Sequence, residues 1–560
     1  MKKSVLLILA VPGFLFAQFT DIKIQKQNSS DTGGMVVSAH PLASEAGAEI
    51  LRKGGNAFDA AIAVQYALAV VYPQAGNIGG GGFMVATRAN GEKLALDFRE
   101  TAPAAAHRDM YLDDSGNANT DLSQNGSLAV GIPGTVAGLF ATHRYANLPM
   151  AELIQPAIDL AEKGVSLTVH EADLLNEHAT DFAKFNRHQT AFQKSRTWYP
   201  GDILKQPELA QTLRRIQQDG LAGFYSGKTA DLIVQEMKRS GGIIITEDLK
   251  NYKVHERTPL EIPYHGHQIV TMPLPSSGGI LLSQMLQMSE LAGLQHYAQN
   301  STEAVQIMVE AERRAFADRA AYMGDPAFIT DETEKLTSRE YVRSRWSSFS
   351  FKKATPSADV GDIIQPVTES TETTHISITD RYGNAVAVTT TLNGLYGSRV
   401  VVRGAGFLLN NEMDDFSIKP GVPNMFGAVG GEANAIQPGK RMLSSMTPTV
   451  VLKNGKPFMV VGTPGGTTIP TSVYQTIVNV IDFELSPAAA VNAPKFHHQW
   501  LPETVSVEKR FPKSVRQKLE DKNYTVTERG NIGRTELILI KKDGVTGIAD
   551  WRGDDSAAAE

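Results

Sequence analysis

The chain has 560 residues, a net charge of −6 and no cysteine. The length is that of roughly three or four domains or of one large intertwined unit; the mild acidity lacks the basic character of nucleic-acid binders, so no nucleic-acid partner is expected. The absence of cysteine excludes disulfides, thiolate catalysis and cysteine-ligated metals, so a large core has to supply the stability.

Met1-Lys2-Lys3 is a short basic start, and Ser4 to Ala17 is a mostly apolar run broken by Pro12-Gly13. Such a run is too short to span a bilayer and fits a signal peptide over residues 1–17, although Leu15 is larger than the small residue usual two places before the cut. Beyond it no apolar run of about 18 residues occurs. The mature chain is therefore expected to be soluble, with no membrane partner, in a periplasm or outside the cell.

The next part reads as helical and glycine-punctuated. Ala43 begins a helix that stops near Gly54-Gly55, and Asn56 begins a second one, apolar on most sides. Gly79-Gly80-Gly81-Gly82 then leads into a strand from Phe83 to Thr87. Four consecutive glycines permit tight turns and close backbone approach. They do not match a dinucleotide loop, which leaves a strand and enters a helix. Leu96-Asp97-Phe98-Arg99 places an arginine after a short strand. Residues 150–345 read as mainly helical, with Met150–Ala161 and Val305–Arg314 as typical runs. Residues 354–372 are polar and rich in Pro, Gly, Ser and Thr, the composition of a surface linker, where chains are readily cut.

That linker ends at Thr373. Ile376 and Ile378 alternate with polar residues, Asp380 to Asn384 has turn chemistry, and Ala385 to Thr391 reads as the returning strand. A hairpin folded about Tyr382 sets Thr373 opposite Thr391, with side chains close enough to touch. Two hydroxyls at the start of a strand, after a separable segment, point to a threonine that must be released from the chain before it acts. Further strands follow at Thr449–Leu452, Phe458–Val461 and Leu537–Ile540, with a hairpin signal at Asn454-Gly455. Helices and strands show no regular alternation, and there is no internal repeat.

Several familiar sites fail. Ala222 to Thr229 lacks the first glycine and the preceding strand of a phosphate loop. No Gly-x-Ser-x-Gly elbow and no His-Glu-x-x-His occur. His497 and His498 are adjacent, so on a strand they face opposite sides and cannot chelate together; packing near Trp500 is the better reading. No metal and no cofactor are expected.

What remains is a constellation. Glu412, Asp414 and Asp415 lie between apolar Phe407-Leu408-Leu409 and Phe416. Carboxylates in such a setting need a cation, and a substrate ammonium would suit. Arg99 could hold a carboxylate bidentately. Ser444 and Ser445 offer two hydroxyls, and Gly465-Gly466 two backbone N–H groups suited to an oxyanion hole. An ammonium holder and a carboxylate holder match the two charges of an amino acid head.

In these residues the chain resembles a bacterial γ-glutamyltransferase, a member of the N-terminal nucleophile hydrolases. The resemblance is carried by Thr373-Thr374-His375-Ile376-Ser377, Thr391-Leu392-Asn393, Asn410 to Phe416, Lys419 to Asn424, Leu443 to Met446, Pro464-Gly465-Gly466 and His497 to Pro502, and in the first half by Gly79 to Phe83 and Asp97 to Pro103. It implies an α+β fold, a four-layer αββα sandwich. It also implies self-cleavage between Glu372 and Thr373 into a large subunit, 18–372, and a small one, 373–560, that stay together as a heterodimer. Thr373 would be the nucleophile, its new α-amine the base, and Thr391 its hydrogen-bond partner. Gly465 and Gly466 would form the oxyanion hole. Arg99, Ser444 and Ser445 would bind the α-carboxylate of a small-molecule γ-glutamyl donor, and Asn393, Glu412 and Asp415 its α-amine. Water, an amino acid or a peptide would be the acceptor. Pro420 to Gly431 resembles a lid, commonly tipped by tyrosine and here by Phe426, which covers without the hydroxyl contact. A glutaryl or cephalosporin acylase of the same family, or an uncleaved binding homologue, are the alternatives; the Glu412 and Asp415 pair favours the amino acid head.

Overall fold

The computed structural model describes residues 24–361, 373–425, 427–428 and 430–560. The expected signal segment 1–17, Glu372 and Phe426 lie outside the described residues.

Two seven-stranded antiparallel sheets stack face to face. One has the spatial order Ser556–Ala559, Met35–Ser38, Thr374–Thr379, Ala385–Thr391, Gly81–Thr87, Lys93–Phe98, His255–Arg257. The other runs Gln27–Ser30, Gly544–Ile548, Glu536–Lys541, Lys456–Gly462, Thr449–Lys453, His267–Thr271, Leu260–Tyr264. Helices Pro41–Arg52, Ala57–Val71, Met150–Lys163 and Pro207–Asp219 cover the outer face of the first sheet through one apolar core. Helices Gly278–Ala292, Thr302–Tyr322 and Thr468–Ile481 cover the second through another. The result is a four-layer αββα sandwich, as the resemblance implied.

The hairpin shows how the pattern positions the site. Thr374 pairs with Thr390 and Thr379 with Ala385, the register set by the turn at Asp380 to Asn384. Asp380 fixes that turn, accepting from the amides of Tyr382 and Asn384, each at 2.9 Å. Strand side chains alternate. Ile376, Ile378, Val386 and Val388 therefore enter the core under the outer helices. His375 and Ser377, with Thr389, face the other sheet; His375 Nδ1 meets Thr389 Oγ1 at 2.8 Å and Ser377 Oγ donates to the Glu536 carbonyl at 2.9 Å. Burial pushes His375 down to about 3, so its ring is neutral. Gly462 of the facing strand leaves room for that ring: a Cβ there would lie 2.2 Å from His375 Cε1. Gly462→Ala is expected to cost about 1–3 kcal/mol by overpacking. The check is a lowered urea midpoint at an unchanged slope.

The segment 150–345 is mainly helical, as read, and also contributes the strands His255–Arg257, Leu260–Tyr264 and His267–Thr271. The overlooked signal is His265-Gly266, both with positive φ (42° and 74°), a two-residue turn joining antiparallel strands. One expectation needs correction: the start of the linker is not surface throughout, since Thr355, Ser357 and Val360 are buried between exposed Pro356, Ala358 and Asp359. Thr355 and Ser357 are buried because they serve buried arginines of the Thr302–Tyr322 helix: Arg314 donates to Thr355 at 3.2 Å and Arg313 to Ser357 at 2.7 Å. The rest of the linker, 362–372, lies outside the described residues.

Candidate active site

Thr373 lies immediately before its strand, buried, with Thr373 Oγ 3.3 Å from Thr391 Oγ. Thr391 Oγ also accepts from the Asn393 amide at 2.8 Å. Asn77 anchors the end of the returning strand, donating to the Thr391 carbonyl at 2.9 Å while its Oδ1 accepts from the Gly80 amide at 3.0 Å. The glycine run is explained here. A Cβ on Gly80 would lie 2.0 Å from the Thr391 carbonyl oxygen, so only glycine lets the two strands meet.

On the other side of Thr373, the Gly465-Gly466 turn opens the Thr468–Ile481 helix. Gly465 has φ 138° and Gly466 φ 57°, and a Cβ on Gly465 would lie 2.3 Å from Thr468 Oγ. The turn thus requires glycine twice, and it sits at the positive end of a helix dipole. Thr467 Oγ donates to Gln499, which His497 Nε2 meets in turn at 2.8 Å. His497 and His498 do not share a ligand: His497 Nδ1 meets Thr471, and His498 Nδ1 accepts from the Trp500 amide.

A ring of charge faces these hydroxyls. Arg99 is fully buried and forked, with Nη1 on Glu412 and Nη2 on Asp415. Its Nε donates to the Met442 carbonyl at 3.3 Å, its Nη2 also to the Leu443 carbonyl at 3.4 Å, and Glu100 stands 3.7 Å away. Burial works against the Arg99 charge, but Glu412, Asp415 and Glu100 outweigh it and hold the guanidinium above its ordinary range. Burial raises Glu412 and Asp415, with Arg99 pulling both back, and pushes Glu100 up to about 7 against the same pull. Asp414 turns away to accept from Ser123 and, at 2.8 Å, from the Met425 amide; burial pushes it up to about 7. Asn424 donates to Asp415 Oδ1 at 2.9 Å, so the segment after Lys419 is tied over the charge ring.

Ser444 Oγ accepts from the Met446 amide at 3.1 Å, and Ser445 Oγ accepts from Arg319 Nη2 at 3.3 Å. Each hydroxyl hydrogen is thereby left to donate to an anion. Asn393 has φ 75° and donates from Nδ2 to the Asn411 carbonyl at 3.1 Å.

These groups line one cleft of about 330 Å³: Thr373, Thr391, Asn393, Arg99, Glu412, Asp415, Ser444, Ser445 and Gly466, together with Arg319, Asn424, Ala428, Met446, Thr467 and Ile469. Of the residues expected from the sequence and described, Gly465 alone stands behind the lining, on the same turn. Arg319 and Thr467 carry no role in the sequence reading, and Asn424 enters it only as part of the Pro420 to Gly431 lid. Nothing in the residues around Arg319 singles it out, because its helix carries charged residues on several sides and shows no amphipathic stripe to say which of them turn inward.

The arrangement offers a hydroxyl pair, adjacent amide donors and a mixed-charge pocket within one cleft. Residues 43–560 match the family described as Gamma-glutamyltranspeptidase. The glutathione hydrolase proenzyme of Escherichia coli (strain K12) is 46% identical over 530 residues, 94% of this chain and 91% of that one. Among solved structures, a cephalosporin acylase from Bacillus halodurans superposes with a TM-score of 0.83 at 26% identity, covering 99% of both chains. Helicobacter pylori gamma-glutamyltranspeptidase superposes with a TM-score of 0.56 at 41% identity, covering 61% of this chain and 96% of that one. The site geometry and these similarities lead to one conclusion: the chain belongs to the γ-glutamyltranspeptidase family.

Proposed function

We propose that the chain is the precursor of an exported γ-glutamyltransferase and hydrolase acting on glutathione and related γ-glutamyl compounds. It cuts itself between Glu372 and Thr373 and works as a heterodimer of 18–372 and 373–560. The reading rests chiefly on the Thr373–Thr391 hydroxyl pair opening onto a cleft whose far wall carries both carboxylates and guanidinium groups.

Scission gives Thr373 a free α-amine. Its ordinary pKa, about 7.7–8.0, suits a general base near neutrality. The amine takes the Thr373 hydroxyl proton as Oγ attacks the donor's γ-carbonyl carbon. The carbonyl oxygen, now an anion, receives the Gly465 and Gly466 amides. On collapse the C–N bond breaks, the leaving amine takes the proton, and a γ-glutamyl ester remains on Thr373. Water or an acceptor amine then attacks that ester by the same path in reverse. Thr391 orients the hydroxyl throughout.

The donor's head brings one positive and one negative charge. Glu412, Asp415 and Asn393 receive the ammonium; Arg99, Ser444 and Ser445 receive the carboxylate. The segment around Asn424, tied to Asp415, covers the head. Separation of the subunits is opposed by the first sheet, where strands from before residue 373 flank those from after it on both sides. The segment 1–17 directs export, and no helix among the described residues is long and apolar enough to cross a membrane.

Two measurements test the reading. N-terminal sequencing of the purified protein is expected to return two chains, one beginning at Thr373. Turnover of γ-glutamyl-4-nitroanilide is expected to exceed that of glutaryl-4-nitroanilide, whose head lacks the ammonium. Faster glutaryl turnover would make the enzyme an acylase instead.

A further inference from the structure

Arg319 is the buried cation of the cleft that the protein's own carboxylates leave to hydroxyl partners. It stands in the last turn of the Thr302–Tyr322 helix and is 7% exposed, yet it lines the cleft. Its Nε donates to Ser277 Oγ at 3.1 Å and its Nη2 to Ser445 Oγ at 3.3 Å. Among the described residues it forms no ion pair, whereas Arg99 forms two close ones. Burial and the nearby Arg99 lower Arg319 to about 10, with Asp415 opposing, so it stays charged at neutral pH.

A buried charge without a counter-ion is costly, so an anion entering the cleft beside it is favoured. The hydroxyl network around Arg319 is directional as well. Ser277 Oγ donates to the Ser444 carbonyl at 2.8 Å and its amide donates to the same oxygen at 2.8 Å, so Ser277 can only accept from Arg319. Arg319 thereby reaches both serines of the expected carboxylate site, Ser444 through the Ser277 clamp and Ser445 directly. By occupying a lone pair of Ser445, it leaves that hydroxyl's single hydrogen for an anion.

We propose that Arg319 is a specificity-determining residue for the α-carboxylate of the γ-glutamyl donor: it supplies the positive charge that Arg99 shares with Glu412 and Asp415, and it sets Ser445 as a donor to that carboxylate. The proposal rests on the γ-glutamyl reading above. It also sets a second guanidinium beside the carboxylates Glu412, Asp415 and Glu100, so that a head bringing both an ammonium and a carboxylate adds no net charge to the cleft, whereas a glutaryl head adds a negative one.

The test compares γ-glutamyl-4-nitroanilide with 4-aminobutanoyl-4-nitroanilide, which keeps the ammonium and lacks the carboxylate. For the matured two-chain enzyme, Arg319→Gln is expected to lower kcat/KM on the first substrate by about 10- to 100-fold, as for a lost hydrogen bond to a charged group, chiefly through KM. On the second substrate it is expected to stay within about twofold of wild type, and Arg319→Lys should recover part of the loss on the first. Equal losses on both substrates, or none on either, would overturn the proposal and leave Arg319 a structural residue. If Arg319→Gln does not mature, the same comparison is read from Arg319→Lys, whose loss must again be confined to the carboxylate-bearing substrate. Failure of wild type to turn over the γ-glutamyl compound is a separate result that removes the underlying reading instead.

Discussion

Thr373→Ala is expected to yield one uncut chain, near the full 60.6 kDa apart from any leader removed, and to release 4-nitroaniline at least about 10⁴-fold more slowly than wild type. Two losses combine. The hydroxyl is the only Thr373 group able to attack Glu372, so without it the α-amine is never released and remains an amide with no basicity. The hydroxyl is also the group that would carry the γ-glutamyl ester. On the proposed mechanism one substitution removes nucleophile and base together, which is why the effect should exceed the loss of a single proposed donor from the Gly465-Gly466 turn, about 10²–10³-fold for such groups. Thr373→Ser separates the two losses. It keeps the hydroxyl, so it should still divide into two chains, and its turnover should survive at a reduced level. Thr391→Ala keeps both reacting groups of Thr373 and removes only the hydroxyl 3.3 Å away. Denaturing electrophoresis and a nitroanilide assay read all three. Two chains from Thr373→Ala would remove Thr373 from the scission step.

How much of this was legible before the fold was seen depends on the range of the interaction concerned. The hairpin register could be read because it is local: the Asp380 to Asn384 turn and the alternation of Ile376 and Ile378 fix it within twenty residues, and the observed pairs obey it. The glycine run was legible as a place of close backbone approach, though not as the seat of the Thr391 carbonyl. The charge ring was legible only as parts. Arg99 and the Glu412–Asp415 pair are more than three hundred residues apart, and no spacing rule reports that a helix, two sheets and a turn will join them. Reading the residues singly gave one holder for a carboxylate and another for an ammonium. The fold connects the two, so that each tunes the other's charge before any ligand is considered. Arg319 was harder still, because its helix is buried all round and lacks the amphipathic stripe that separates inside from outside.

That connection makes Arg99→Met the second large prediction, and it separates stability from activity by pH. Removing one partner of a buried ion pair strands the other, at a cost of about 3–5 kcal/mol. Here two carboxylates, Glu412 and Asp415, are stranded beside a third, Glu100. The sign follows from proton linkage. In the folded protein burial already raises Glu412 and Asp415, and Arg99 is the chief group pulling them back. Without Arg99 both rise further. A group whose folded pKa lies above its unfolded one contributes stability below the unfolded value and loses it as pH rises through the folded value. The deficit of Arg99→Met relative to wild type should therefore be smaller near about pH 5, where the stranded carboxyls take up protons, and larger near about pH 8. Urea unfolding of the two proteins at both pH values measures it; an equal deficit at the two would mean that Arg99 acts through packing rather than charge. On γ-glutamyl-4-nitroanilide, loss of the proposed Arg99 contact to the α-carboxylate should lower kcat/KM by about 10- to 100-fold, as for one hydrogen bond between charged groups. Arg99→Lys distinguishes the two roles. It restores one positive charge, and with it most of the pH slope, but a single ammonium cannot reach Glu412, Asp415 and a substrate carboxylate at once. Its stability should therefore approach wild type while its activity stays low.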